Sequence, residues 1–141
     1  MASKSVQLAH LQNVPLFAGC SKRDLQHIVK AGEVIKMTDG TMIVDQGQMG
    51  REAFMILSGN VIIKRGGRKI TTLTTGNVVG ELSLLDHGPR TATAICEGDC
   101  TLFVLDQRHF RAVLEDQPSI ALKLLGTLAG HIRNLDRQQF G

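Results

Sequence analysis

The rhythm of apolar and polar positions changes twice along the chain: helical spacing to residue 32, short glycine-punctuated runs from 33 to 106, then helical spacing again. Val6, Leu8, Leu11, Val14, Leu16 and Phe17 make a loosely helical opening, closed by Pro15 and Gly19. Ser21 with Asp24 three residues on reads as a helix start, where a hydroxyl and an acid cap each other's main chain. Leu25, Ile28 and Val29 would be the buried face of that helix, and Gly32 its end. The middle of the chain is rich in Val and Ile and predicts strands at 33–37, 41–45, 53–58, 60–65, 68–74, 78–79, 90–96 and 100–106. Gly66-Gly67, between Ile62-Ile63-Lys64-Arg65 and Arg68-Lys69-Ile70, is a two-residue hairpin signal; Ser58-Gly59 and Glu97-Gly98-Asp99 also read as turns. Eight short strands at this spacing imply a jelly-roll or β-roll with a concave interior. The fold class is therefore mainly β with flanking helices (α+β): N-terminal helices over 1–32, a roll over 33–106 and two closing helices over 107–138, in one domain spanning 1–141.

The closing helices follow from the same reading. Asp106 caps the first, whose apolar positions are Phe110, Val113 and Leu114, and Pro118 stops it. Pro118 then suits the first turn of a second helix, running to about Gln138. Along it Ala121, Leu125, Leu128, Ile132 and Leu135 step by four, three, four and three, the spacing of a coiled-coil seam. Two readings stay open: a two-fold dimer helix, or one amphipathic helix lying on its own domain.

Composition narrows the picture little. Hydrophobic residues are 43% and charged residues 21%, as in an ordinary globular chain, and the net charge is +3. The basic residues are spread out, so no stripe suited to tracking DNA emerges. Three cysteines, Cys20, Cys96 and Cys100, are an odd count without a secretory segment, which points to reduced thiols in a cytoplasm. Met1-Ala-Ser-Lys-Ser contains no apolar run, and no stretch approaches the roughly 20 apolar residues a membrane span needs. The five histidines, at 10, 27, 87, 109 and 131, are scattered, which argues against a metal centre.

The candidate chemistry lies between Gly80 and Ala94. Gly80 lets backbone come close to a ligand. A short helical turn follows, and the amides of Leu82 and Ser83 would be free donors at its start, suited to an anion. Pro89 fixes a corner that aims Arg90 back at those amides, and its planar fork suits a phosphate. Glu81 beside an anion would be repulsive unless it accepts from something else, such as a sugar hydroxyl. A ligand with a ribose and a compact phosphate satisfies all of these residues; an ordinary turn with an exposed salt pair is the bland alternative.

Gly80-Glu81-Leu82, followed by Pro89-Arg90-Thr91-Ala92-Thr93, resembles the phosphate-binding cassette of cyclic nucleotide-binding domains. These are the modules of catabolite activators, protein kinase A regulatory subunits and nucleotide-gated channels, and the resemblance extends over nearly the whole chain. It implies that Glu81 accepts the ribose 2′-hydroxyl and that Arg90 pairs with the cyclic phosphate. It also implies that the amides of Leu82, Ser83 and Thr91, with the Thr91 hydroxyl, complete the cradle. Ile63, Leu73 and Val79 fall where the family lines its pocket with apolar groups, a role compatible with plain core. The family contacts the base from its closing helix; the corresponding positions are His131, Leu135 and Asp136, where this sequence departs from the residues usual in the family.

Four classes of function are to be weighed, one of which, a degenerate module that binds no nucleotide and acts as an interaction domain, is disfavoured by the intact Glu81 and Arg90. The first is a regulatory sensor that binds a cyclic nucleotide, cAMP in preference to cGMP, without a catalytic cofactor, and passes a shape change through its last helix to an unknown effector. The second is a fragment of a cAMP-responsive transcription regulator whose DNA-binding part is missing from this chain, since Gln138-Gln139-Phe140-Gly141 leaves no room for one and no direct DNA contact is expected. The third is an enzyme, which Ser83 without a His–Asp set and the scattered histidines do not support. No membrane partner is expected.

Overall fold

The structure is a computed structural model and describes residues 4–140, with side chains to Gln139; Met1, Ala2, Ser3 and Gly141, the ends of the predicted domain, lie outside the described residues. Helix α1 (Lys4–Gln12), a 3-10 turn (Pro15–Phe17) and α2 (Lys22–Ala31) precede the strands. The strands are β1 (Glu33–Met37), β2 (Met42–Val44), β3 (Glu52–Arg65), β4 (Arg68–Leu73), β5 (Val78–Val79) and β6 (Thr93–Asp106). A second 3-10 turn (Glu81–Leu84) sits between β5 and β6, and α3 (Gln107–Asp116) and α4 (Pro118–Phe140) close the chain. Ser21 and Asp24 form the expected reciprocal cap at the start of α2. Asp106 caps α3 by accepting from the His109 amide, and α4 starts on Pro118.

The sheet is antiparallel throughout and runs β1-β6-β3-β4, with β2 also on β6 and β5 also on β3. The mainly β class with flanking helices is as read from the sequence; the count of eight strands is not. Residues 53–58 and 60–65 belong to one strand, β3, and most of 90–96 joins 100–106 in β6. The glycines that read as turns instead bend continuous strands. Gly59 (φ +104) and Gly98 (φ +79) take left-handed backbone, and the β3–β6 register slips on both sides of Ser58. Gly59 also lies against the partner strand so tightly that a Cβ would sit 2.8 Å from the Asp99 carbonyl oxygen. A second difference is Arg90, expected in a strand. β6 begins only at Thr93, and Arg90 is held in a loop, its amide donating to Gln48 O (2.7 Å) and its carbonyl accepting from Gly47 N (2.8 Å).

Both faces of β3 and β6 are covered, which accounts for the unbroken apolar runs Ala53–Leu57 and Leu102–Leu105. Ala53, Met55, Leu57, Phe103 and Leu105 face the helices, in a core with Phe17, Ile28, Phe110, Ile120 and Leu124. Phe54, Ile56, Val61, Leu102 and Val104 face the interior of the roll, with Val79, Ala94, Cys96 and Cys100. The Phe17 and Phe110 rings meet at 5.9 Å between centroids, joining the first 3-10 turn to α3. Cys20, Cys96 and Cys100 are free and buried. No helix among the described residues is long and apolar enough to cross a membrane.

Candidate ligand-binding site

The second 3-10 turn exists because Gly80 adopts φ +73, ψ +33, a left-handed conformation that reverses the chain after β5. Ser83 N then donates to Gly80 O (3.0 Å) and closes the turn. Of the two amides expected to be free at this start, Ser83 is therefore used within the turn, and Leu82 N–H finds no acceptor among the described residues. From the other side the loop after the turn doubles back: Pro89 bridges to Met49, and Arg90 comes to rest against the turn. Arg90 Nη1 donates to Ser83 Oγ (3.0 Å), and its guanidinium carbon lies 6.0 Å from the centre of the Phe54 ring. A Cβ on Gly50 would be 2.7 Å from Arg90 Nε, and one on Gly80 would collide with Nη1, so two glycines make the slot for this side chain. Burial pushes the Arg90 pKa down from its ordinary value, against the opposing influence of Glu52. Among the described residues the ion pairs are Asp24–Lys123 and, when the ring is protonated, Asp106–His109; Glu81 and Arg90 are not paired with each other.

A cavity of about 520 Å³ opens in front of this arrangement. Gly80, Glu81, Leu82, Ser83, Arg90 and Thr91 line one end, and Ile63, Leu73 and Val79 supply apolar wall. These are residues the sequence singled out, and the fold gathers them around one space. His131 is not among the lining residues; it is exposed on α4 together with Leu135 and Asp136. The wall also contains groups the sequence reading passed over: Arg65, Thr71 and Ile70 near the β3–β4 hairpin, and Asp86 beside the turn. Arg65 could have been found by strand period, since it is two residues beyond Ile63 on β3. Its Nε donates to Thr91 O (3.1 Å) and so braces the cassette from the hairpin side. Glu81 has a partner that no local pattern announces: its Oε2 accepts from the Leu16 amide at 3.2 Å. Among the described residues no group of three or more His, Cys, Asp or Glu side chains could hold a metal ion.

A β-roll whose cavity ends in a glycine-started turn, a facing arginine and an adjacent carboxylate defines a small-molecule-binding module for a ligand with an anionic end. The family model of the cyclic nucleotide-binding domain matches residues 28–117, and the chain belongs to that family. It is 30% identical over 135 residues to a cAMP-dependent protein kinase regulatory subunit of Mycosarcoma maydis, covering 93% of this chain and 25% of that protein. It is also 30% identical over 131 residues to the cyclic AMP receptor protein of Thermus thermophilus, covering 89% of this chain and 61% of that one. The chain thus spans less than two thirds of the length of these curated relatives. Among solved structures, the N-terminal domain of a transcriptional regulator from Streptomyces coelicolor A3(2) superposes with a TM-score of 0.85 at 25% identity, covering 94% of this chain and 96% of that one.

Proposed function

We propose that this chain is a regulatory module that binds cAMP and couples its capture to movement of α4. Arg90 takes the cyclic phosphate together with the Leu82 and Thr91 amides. Glu81 accepts the ribose 2′-hydroxyl, and Ile63, Leu73 and Val79 pack against the ligand. The observation that carries this reading is the slot between Gly50 and Gly80, which holds the Arg90 guanidinium at the anion-accepting end of the cavity, in no ion pair among the described residues. The choice of cAMP over cGMP draws on the two relatives named for cyclic AMP. His131 is exposed on α4, so any contact between it and the base requires α4 to swing toward the cavity, which is the movement proposed. The exposed Leu125, Ile132 and Leu135 on the same helix favour a homodimer through α4. A cytoplasmic setting suits three reduced thiols. The role is binding rather than catalysis, in keeping with relatives named as a regulatory subunit and a receptor protein.

Calorimetry with cAMP, cGMP and 5′-AMP on the wild type and on Arg90→Ala tests the reading. Without the guanidinium the phosphate charge is left unpaired in the cavity, a loss of about 3–5 kcal/mol where the site is dry. Binding of cAMP should become undetectable in Arg90→Ala; an unchanged affinity would refute the assignment. A second reading, the sensor part of a cAMP-responsive transcription regulator, is favoured by the overlap with the regulator domain of Streptomyces coelicolor A3(2).

A further inference from the structure

The Glu81 carboxylate belongs to two parts of the molecule at once. It lines the cavity, and its Oε2 accepts from the main-chain amide of Leu16, sixty-five residues earlier, at 3.2 Å. The need for that bond begins in the first 3-10 turn. Val14, its N-cap, provides no side-chain acceptor, and Pro15 has no N–H. Leu16 N–H is therefore the first orphan donor of the turn, and a carboxylate from the cassette satisfies it. The donor is fixed in space, because the Leu16 side chain is 2% exposed and shares a core with Phe17 and with Leu84 of the cassette. A carboxylate has about four acceptor positions, and among the described residues only this one donor reaches it.

Resting on the reading of Glu81 as the sugar acceptor, we propose that the Leu16 amide is a positioning group for nucleotide binding: it pins one carboxylate oxygen so that the other faces the ribose 2′-hydroxyl. A glutamate side chain otherwise loses much rotamer freedom when it is fixed, and one held in advance spares the ligand that cost. The same bond places sugar capture in direct contact with the N-terminal turn, so that occupancy of the cavity is felt outside the roll. Asp24 in α2 bonds Lys123 of α4, so the elements on both sides of that contact are tied together.

The test separates positioning from simple support of the fold. Replacing Leu16 by its α-hydroxy acid exchanges the N–H for an ester oxygen and keeps the buried side chain. Calorimetry then compares cAMP with 2′-deoxy-cAMP in the wild type and the ester protein. Affinity for cAMP should fall about tenfold in the ester protein, equivalent to about 1.4 kcal/mol, and affinity for 2′-deoxy-cAMP should stay where it was. Equal weakening of both ligands, or no loss for cAMP, would overturn the positioning role. The ester also weakens Pro15 O, which accepts from Ala18 N, so the α-hydroxy acid of alanine at position 18 serves as the control and should leave the ratio of the two affinities unchanged. A wild type that binds cAMP but does not distinguish it from 2′-deoxy-cAMP would remove the sugar role of Glu81 and this inference with it. A wild type that binds no nucleotide would instead bring down the nucleotide reading. Should the ester protein not fold, the Leu16 amide resonance of the wild type decides: cAMP should shift it and 2′-deoxy-cAMP should not, and an identical response to both ligands would end the proposal.

Discussion

Lys123 Nζ on α4 lies 2.5 Å from Asp24 Oδ2 on α2, a contact between residues ninety-nine apart that fixes the base of the last helix to the N-terminal helices. Gly19 lies beneath the same stretch, where a Cβ would be 3.1 Å from Thr127 Oγ1. Asp24 Oδ2 also accepts from the Ser21 amide (2.8 Å), and the Asp24 amide in turn donates to Ser21 Oγ (3.1 Å). Burial alone would raise its pKa, but the bonds to Lys123 and Ser21 outweigh that and hold it below the usual carboxylate value.

The sign of the pH dependence follows. A carboxylate with a depressed folded-state pKa stabilises fully above its unfolded value, about 3.9, and loses that contribution as pH falls through the folded value. Lys123→Ala should cost about 1–2 kcal/mol at pH 7, between the worth of an exposed and a buried pair. Asp24→Ala should cost more, because its half of the reciprocal cap, the bond accepted from the Ser21 amide, goes as well as the ion pair. Urea midpoints at pH 7 and pH 3 check this. The gap between wild type and Asp24→Ala should be constant from pH 6 to 8 and should narrow at pH 3; a gap that widens in acid contradicts the assignment.

Gly80→Ala tests the cassette from the backbone side. Left-handed backbone costs alanine about 1–2 kcal/mol, and the new methyl would take the space of Arg90 Nη1. The protein should remain folded by circular dichroism, with cAMP affinity lowered at least tenfold because the guanidinium must leave its slot. Unchanged affinity in a folded variant would mean that this slot is not where the phosphate is held.

The cassette could be read from the sequence because Gly80, Glu81 and Arg90 lie close along one stretch of chain, each with a type that carries its own chemistry. The cap at Ser21 and the start of α4 at Pro118 were legible for the same local reason. The merged strands were not. Glycine at positive φ occurs both where a chain turns and where a strand bends, so Gly59 and Gly98 carry the same local signal as Gly66-Gly67. Only pairing across the sheet separates the two cases: β3 runs on through its bend along β6, whereas Gly66-Gly67 leads into β4. Leu16 with Glu81 and Asp24 with Lys123 were beyond local reading, because the tertiary fold creates both contacts and neither leaves a pattern within its own segment. Counting along the chain from Arg90 led to His131, but the structure leaves this part of α4 exposed and away from the cavity wall.

The last prediction concerns that exposed stretch of α4. Ile120 and Leu124 are buried against the domain, whereas Leu122, Leu125, Ile132 and Leu135 are 62–69% exposed. A fully buried side chain of this size contributes about 1.5–3 kcal/mol, so a helix with four of them in water has much to gain from a partner. Cβ positions on Gly126 and Gly130 would meet nothing within 4 Å. Each glycine costs the helix up to about 1 kcal/mol relative to alanine, with no contact among the described residues to require it, whereas a second helix approaching closely would. If two copies pair through α4, the wild type should sediment as a dimer at micromolar concentration. The double variant Leu125→Gln, Ile132→Gln should then sediment as a monomer, with affinity for cAMP at the cassette reduced by no more than a few-fold. A wild type that stays monomeric up to about 100 μM, at an affinity weaker than about 5.5 kcal/mol of association, would show that the seam does not pair two copies of this chain.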